Sequence, residues 1–561
     1  MSQAKIMPVG IDDFKKLCRE NYLFVDKTRF IKELIDGHSG VTLITRPRRF
    51  GKTLTMSMVR YFFDLDNAAE NRSLFQGLDI DKAGERYMTE QGTRPVVFIS
   101  LKDVQEATFA ALTDRWRGTL SGLYGQFRYL LKGEALAPEE IAYFQRMLEK
   151  SANIVEMQDS LKQLTLFLAK HYRQRPLLLI DEYDAPIIAA WEHGYYKECI
   201  GFMKRLLGAA LKSNEYLDFA LLTGVSRVSK ESIFSDLNNL DVCSVLTKKY
   251  SDILGFTETE TEELMARSGV ASKMPEVKAW YDGYQFGNTE IYNPWSVIRY
   301  VASGCEVAPY WLNTSGNVIL KALLERVDYR RQRELEGLLK GKAVITPANE
   351  NTVYADIHQS RDALFMMLLT TGYLKAVDLW LDEWSNRWLN LQIPNKEISI
   401  ALRAEILQNI APQQGETLLR EMLIAMTGGD VKEFAACLRE ILRDFVSYHD
   451  AAGEPENFYH GLMLGLTLLL DGKYRLESNR ESGYGRFDLA FFPAQNTYPG
   501  VILELKAAKA DEADKLPELA KDALAQIAAK EYVASLRLQN VNTIWRYGIA
   551  FAGKRVEMVG E

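Results

Sequence analysis

Short apolar runs punctuate the first part of the chain at residues 41–45, 95–101, 176–180 and 219–223, and each breaks off in polar residues. Stretches with helical spacing lie between them. Buried strands alternating with helices predict an α/β fold, a parallel sheet covered on both faces. Ligands of such a sheet gather beyond the carboxyl ends of its strands. Further on, Thr257 can cap an acidic helix, and the aromatic, turn-rich stretch 280–295 predicts a hairpin before another helix. The chain to about residue 425 then predicts helices with a few strands, winged-helix-like in character.

The pattern changes again near the end. Residues 456–470 are apolar on nearly every side and predict a buried helix. Strands follow at 474–479, 486–492 and 501–506, with a turn at 481–485 and a last helix over 514–530. Alternation in the third of these strands puts Val501, Leu503 and Leu505 on one face and Ile502, Glu504 and Lys506 on the other. Three domains are expected: an α/β domain over 1–227, a mostly helical middle over 228–430, and an α+β domain over 431–561. Gly428, Gly429 and Asp430 mark the second boundary.

Composition narrows the class. The 561 residues are 47% hydrophobic and 25% charged, as in globular protein, with core enough to need no disulfides. Five scattered cysteines form no CxxC pair, which argues against a zinc site and suits a reducing cytoplasm. The first residues lack the apolar core of a signal peptide, and no apolar run is long enough to span a bilayer. A net charge of −7 gives no bulk attraction to nucleic acid, so any such binding needs a local basic patch. The densest basic run, 326–333, reads as a solvated helix face or as a DNA-backbone contact.

The strand at 41–45 leads into Arg46-Pro47-Arg48-Arg49-Phe50-Gly51-Lys52-Thr53 and then a helix. Strand, loop and Gly-Lys-Thr at a helix start are a phosphate grip. Backbone N–H groups face the phosphates, Lys52 reaches the β/γ oxygens, and the Thr53 hydroxyl binds Mg²⁺. The usual pattern wants Gly at the position of Arg46. A strand ending in Asp181-Glu182 supplies the complement: Asp181 for the metal and Glu182 to orient and deprotonate a water. Thr223, at another strand end, can sense a γ-phosphate. Arg227 reads either as an arginine finger or as an ordinary salt bridge. The aromatics of 280–295 read as core or as base-stacking groups.

In the tail, Asp488 can reach the spot where Glu504 and Lys506 project. Two carboxylates and a lysine suit Mg²⁺-assisted phosphodiester hydrolysis, with Asp488 and Glu504 on the metal and Lys506 on the water. Glu456 and His460 share a helix face nearby, and Gln526 lies on the last helix.

The segments RPRRFGKT, LLLIDEYDAPI and LLTGVSRVSKESIFSDLNNL resemble the AAA-ATPase-like family of bacterial proteins. Its loop is typically Arg-Pro-Arg-Arg-Phe-Gly-Lys, so Arg46 is normal there. The resemblance implies an ATP-binding P-loop NTPase fold with residues Arg46 to Thr53 as its nucleotide loop. The same family carries a segment similar to YDGY…YNPWS. The tail resembles the PD-(D/E)XK nuclease superfamily, a restriction-endonuclease-like fold, in YHGLMLGL, ESGYGRFDLAFF, ILELK and ALAQIAAKEY. That resemblance sets Asp488, Glu504 and Lys506 on the superfamily's core residues, Glu456 on the acid of its first helix and Gln526 on the helix after the strands. The expectation is an ATP-binding, ATP-regulated, Mg²⁺-dependent nuclease, with DNA favoured over RNA and no membrane partner. The alternative is a non-catalytic NTP-sensing switch whose tail is a binding platform. Homo-oligomerisation stays open.

Overall fold

The computed structural model describes residues 6–37, 39–227, 234, 239–311, 329–339, 341–350, 360–410, 415–445, 459, 463, 466–470, 473–482, 485–495, 497–529, 533–539 and 541–561. The chain folds as two compact units: Met1–Ile319 with Ala343–Ala401, and Leu320–Lys342 with Leu402–Glu561.

The first unit is organised on a five-stranded sheet of order β2-β3-β4-β1-β5. Its strands are β1 Val41–Thr45, β2 Val96–Ser100, β3 Leu177–Asp181, β4 Ala220–Gly224 and β5 Leu240–Cys243. Every pairing is parallel. β1, β3 and β4 are buried at every position, which is why their sequences run apolar without alternation. β5 goes unpredicted because it is a half-buried edge strand interrupted by Asp241. Helix Lys52–Phe63 packs Phe62 into a cluster with Phe14 and Phe75, ring centroids 5.1–5.2 Å apart.

The unit continues through helix Glu258–Arg267, capped by Thr257 and Glu260 as a capping box. The expected hairpin follows as β6 Tyr284–Phe286 and β7 Thr289–Ile291, then helix Pro294–Ala302. Strands β8 Val344–Pro347, β9 Lys375–Leu381 and β10 Arg387–Gln392 form an antiparallel sheet of order β8-β10-β9. Helix Arg361–Thr371, nearly all buried, ends at Gly372 in the left-handed conformation.

The second unit has a five-stranded mixed sheet, β11-β12-β13-β14-β15. These strands are β11 Tyr474–Ser482, β12 Gly485–Pro493, β13 Gly500–Ala507, β14 Ile544–Ala552 and β15 Arg555–Gly560. Only the β13–β14 pairing is parallel. Leu489, Val501, Leu503 and Leu505 line one face, under helices Gly415–Gly428 and Val431–Phe445. Ala490 and Ile502 line the other, under helix Leu516–Ala529. The alternation read from the sequence at 501–506 is therefore that of the sheet. Helix Gly415–Gly428 is tied to β14 by the Tyr547 hydroxyl, which donates to the Met426 carbonyl at 2.7 Å, and by Trp545 Nε1, which donates to the Thr427 carbonyl at 3.1 Å. In the region 456–470, Tyr459 stacks on Phe551 with centroids 4.3 Å apart. Glu456 and His460 lie outside the described residues. No helix among the described residues is long and apolar enough to cross a membrane.

Candidate functional site

Because the first sheet is parallel, the carboxyl ends of β1, β3 and β4 open on one edge. Asp181, the last residue of β3, is fully buried there. It accepts two hydroxyl hydrogen bonds, from Thr53 at 2.8 Å and from Thr223 at 2.6 Å. Three residues singled out separately in the sequence thus share one carboxylate. Gly51 caps helix Lys52–Phe63 with φ +85°, a conformation glycine reaches without strain. The turn it makes aims the helix N-terminus at the same edge.

Lys52 is buried, and its ammonium donates to the carbonyls of Arg46 at 2.9 Å and Pro47 at 2.8 Å. Burial lowers its pKa, opposed by the nearby carboxylates of Glu182, Asp184 and Asp181. Burial likewise raises that of Glu182, against the pull of Lys52 and with the repulsion of Asp181 and Asp184. Glu182 also holds φ +51°, a strained backbone for a residue that is not glycine. Three acids around one lysine leave a local excess of negative charge, and Asp181 with the Thr53 hydroxyl offers hard oxygen donors. This set fits a Mg²⁺ ion completed by phosphate and water. Among the described residues no three His, Cys, Asp or Glu side chains are placed to hold a metal by themselves.

Asp184 has a role that the sequence reading did not assign. Its buried Oδ2 accepts from the backbone N–H groups of Val225 and Ser226, both at 2.9 Å, and from the Ser226 hydroxyl at 3.2 Å. Asp184 thereby fixes the turn after β4 that leads to Arg227. Gly224 permits the approach: a Cβ there would lie 2.7 Å from the Tyr183 ring and 2.8 Å from the Asp184 carboxylate. The acid run Asp181-Glu182-Tyr183-Asp184 was the available signal.

The basic loop divides its labour. Arg46 turns its fully buried guanidinium inward, donating to the carbonyls of Thr45, Cys243 and Tyr250 at 2.8–2.9 Å. Burial lowers its pKa to about 10. Pro47 touches Gly372, where a Cβ would come within 2.8 Å. Phe50 is buried, its centroid 4.9 Å from that of Tyr284 and 5.2 Å from that of Phe286. Arg49 lies 4.3 Å over the Trp295 ring, and the Arg48 carbonyl accepts from Trp311 Nε1 at 3.4 Å.

In the second unit, Asp488 and Glu504 stand on adjacent strands, on the face covered by helix Leu516–Ala529. The β12–β13 register ends at Leu489 opposite Leu503, and beyond it Asp488 Oδ2 accepts from the Leu505 N–H at 2.8 Å. Glu504 is 2% exposed. Gln526 donates to its Oε1, and Lys506 Nζ lies 3.9 Å from the same oxygen. Glu504 pairs in register with Gly548 of β14. A Cβ at Gly548 would sit 2.2 Å from the Ala520 carbonyl oxygen, so the bare glycine lets the helix lie low and brings Gln526 onto Glu504. Lys506 and Gln526 therefore meet at the Glu504 carboxylate, with Asp488 on the neighbouring strand and the same face. The two carboxylates are a hard-oxygen pair that fits a divalent cation.

Comparison with known proteins finds one family model in each of the two units. Residues 8–234 match the model of the predicted AAA-ATPase family. Residues 454–561 match that of the PD-(D/E)XK nuclease superfamily. The chain is 27% identical over 582 residues to the "Uncharacterized protein in vnfD 5'region" of Azotobacter chroococcum mcd 1, covering 100% of this chain and 99% of that one. Among solved structures, a signal transduction ATPase with numerous domains and a tetratricopeptide repeat sensor, from Pyrococcus horikoshii, aligns at 11% identity. That alignment covers 79% of this chain and 53% of the other, with a TM-score of 0.24.

Proposed function

We propose, for a chain that pairs an AAA-ATPase-like domain with a PD-(D/E)XK nuclease superfamily domain, that it is an ATP-regulated, Mg²⁺-dependent nuclease acting on DNA. The observation that carries the reading is the convergence of Asp488, Glu504, Lys506 and Gln526 on one face of the second sheet. A buried carboxylate beside a lysine is costly to maintain in a merely structural role.

In this reading Lys52 and the N–H groups from Arg48 to Thr53 bind the triphosphate. Thr53 and Asp181 would hold one Mg²⁺, Glu182 would orient and deprotonate the attacking water, and Thr223 and Arg227 would face the γ-phosphate. Asp488 and Glu504 would hold the other Mg²⁺, which would supply Lewis-acid stabilisation of the diester and a more acidic water. Lys506 orients that water and balances developing charge. Gln526 fixes the Glu504 carboxylate.

Plasmid digestion with and without ATP tests this. Wild type should cut in Mg²⁺, with a rate that responds to ATP. Undiminished cutting by Glu504→Ala would overturn the active site, and equal ATP response in Lys52→Ala would overturn the regulation. Linear, single-stranded and RNA substrates in parallel fix the substrate class.

A further inference from the structure

The family match to the ATPase ends at residue 234, yet the phosphate loop is gripped from beyond it. Cys243 and Tyr250 take the Arg46 guanidinium, and the Phe286 ring lies 4.8 Å beneath it. Tyr284 and Phe286 enclose Phe50. Trp295 underlies Arg49, and Trp311 donates to the Arg48 carbonyl. The two tryptophans come from different segments, but one side chain organises both. Glu397, fully buried in the first turn of helix Lys396–Ile410, accepts from the Ser296 hydroxyl at 2.8 and 3.0 Å. It also accepts from the Trp311 backbone N–H at 2.8 Å. Ser296 adjoins Trp295, so a single carboxylate pins the backbone on which each indole is mounted.

We propose that Glu397, acting through Trp295 and Trp311, is a positioning residue for nucleotide: it holds the Arg48–Arg49 shoulder of the phosphate loop and moves with it when a triphosphate binds. The inference rests on the nucleotide-binding reading above and adds to it the element that senses the loop. The physical reason is economy of contacts. A triphosphate must draw the Lys52 ammonium off the Arg46 and Pro47 carbonyls. The two carbonyls then lose their donor, and a backbone shift that re-pairs them pulls on the Trp311–Arg48 bond and on the Arg49–Trp295 contact. A change at the loop therefore reaches Glu397, at the start of a helix along which the chain passes out of this unit at Ala401. The aromatic segment that the sequence reading left between core and base-stacking thus has a third use, as a collar on the phosphate loop.

Hydrogen–deuterium exchange of the full chain with and without Mg-ATP tests the inference. Protection should rise in peptides covering 46–53, 295–311 and 396–401 together. Protection confined to 46–53 would overturn the inference and leave nucleotide binding standing. Protection in none of them would overturn nucleotide binding and the inference with it. A second test is Trp311→Phe, which keeps the ring and removes the indole donor. The bond is present without nucleotide and the indole is buried, so the unfolding midpoint of the nucleotide-free protein should fall. At a temperature where both proteins are folded, the ATP dissociation constant should still rise about twofold or more, because the loop is no longer held. An unaltered dissociation constant would overturn the inference.

Discussion

Thr53 and Asp181 stand 128 residues apart in the chain, and their side chains meet at 2.8 Å. The bond joins the helix that opens at the phosphate loop to the end of β3, and Thr223 completes it from β4. Replacing Asp181 by Asn keeps an acceptor for one hydroxyl and removes the charge that a divalent ion needs. ATP hydrolysis by Asp181→Asn should fall by about a hundredfold or more, the worth of several kcal/mol of metal-borne stabilisation. A phosphate-release assay at saturating Mg-ATP measures it, and near-wild-type turnover would remove Asp181 from the metal site.

Lys52 offers a separation of binding from folding. Its ammonium is buried against two carbonyls and is partly destabilised by that burial. Lys52→Ala should fold, and should lack the thermal shift expected of the wild type with ATP. At ATP a hundredfold above its dissociation constant, the wild type gains roughly 2.7 kcal/mol by mass action. Differential scanning fluorimetry with and without Mg-ATP reads both proteins, and an equal shift in the variant would deny Lys52 a part in binding.

The runs of β1, β3 and β4 were legible because every position is buried, so composition and structure carry the same signal. Asp181, Glu182 and Thr223 were legible as polar residues closing such runs. β5 was not, since its four residues are interrupted by Asp241 and only Cys243 among them is fully buried. Nor was the collar on the phosphate loop: Trp311 and Arg48 are 263 residues apart, and nothing local to either announces the other. Gly548 is silent for the same reason, because its meaning lies in the helix that lies against it. The inward turn of Arg46 belongs here too. The sequence shows only that Arg46 stands where a phosphate loop usually has glycine, while the buried guanidinium and three carbonyls say what it does there.

Asp488→Asn separates fold from chemistry in the second unit. Its Oδ1 can still accept the Leu505 N–H that Asp488 now holds, so the sheet should persist. Nuclease activity should drop by roughly a hundredfold or more through loss of a metal-binding charge. Circular dichroism checks the first half and plasmid digestion the second. Retained cutting with an intact fold would place the metal elsewhere.

Gly548→Ala tests how the second site is assembled. The new methyl would meet the Ala520 carbonyl oxygen at 2.2 Å and the Leu524 nitrogen at 2.4 Å, both backbone atoms of the covering helix. The helix must lift, costing about 1–3 kcal/mol as an overpacked contact. Gln526 then retreats from Glu504, and cutting should weaken beyond what the stability loss explains. Urea unfolding and digestion at a temperature where both proteins are folded separate the two effects.

Glu397 gives a pH signature. Burial raises its pKa to about 7 despite the Trp311 N–H and the Ser296 hydroxyl, which both favour the charged form. The folded state therefore holds this proton to higher pH than the unfolded chain does. The associated stability is present in full below the unfolded value near 4.5, and it is lost as pH rises towards 7. A shift of this size is worth roughly 3 kcal/mol. Asp64 and Asp282, each raised by burial to about 6, lose stability over an overlapping range. Urea unfolding between pH 5 and 8 should show the wild type weakening as pH rises. Glu397→Gln cannot titrate, so its curve should be flatter by Glu397's share, while the contributions of Asp64 and Asp282 remain. Parallel curves for the two proteins would mean that Glu397 keeps the same proton affinity whether the chain is folded or not.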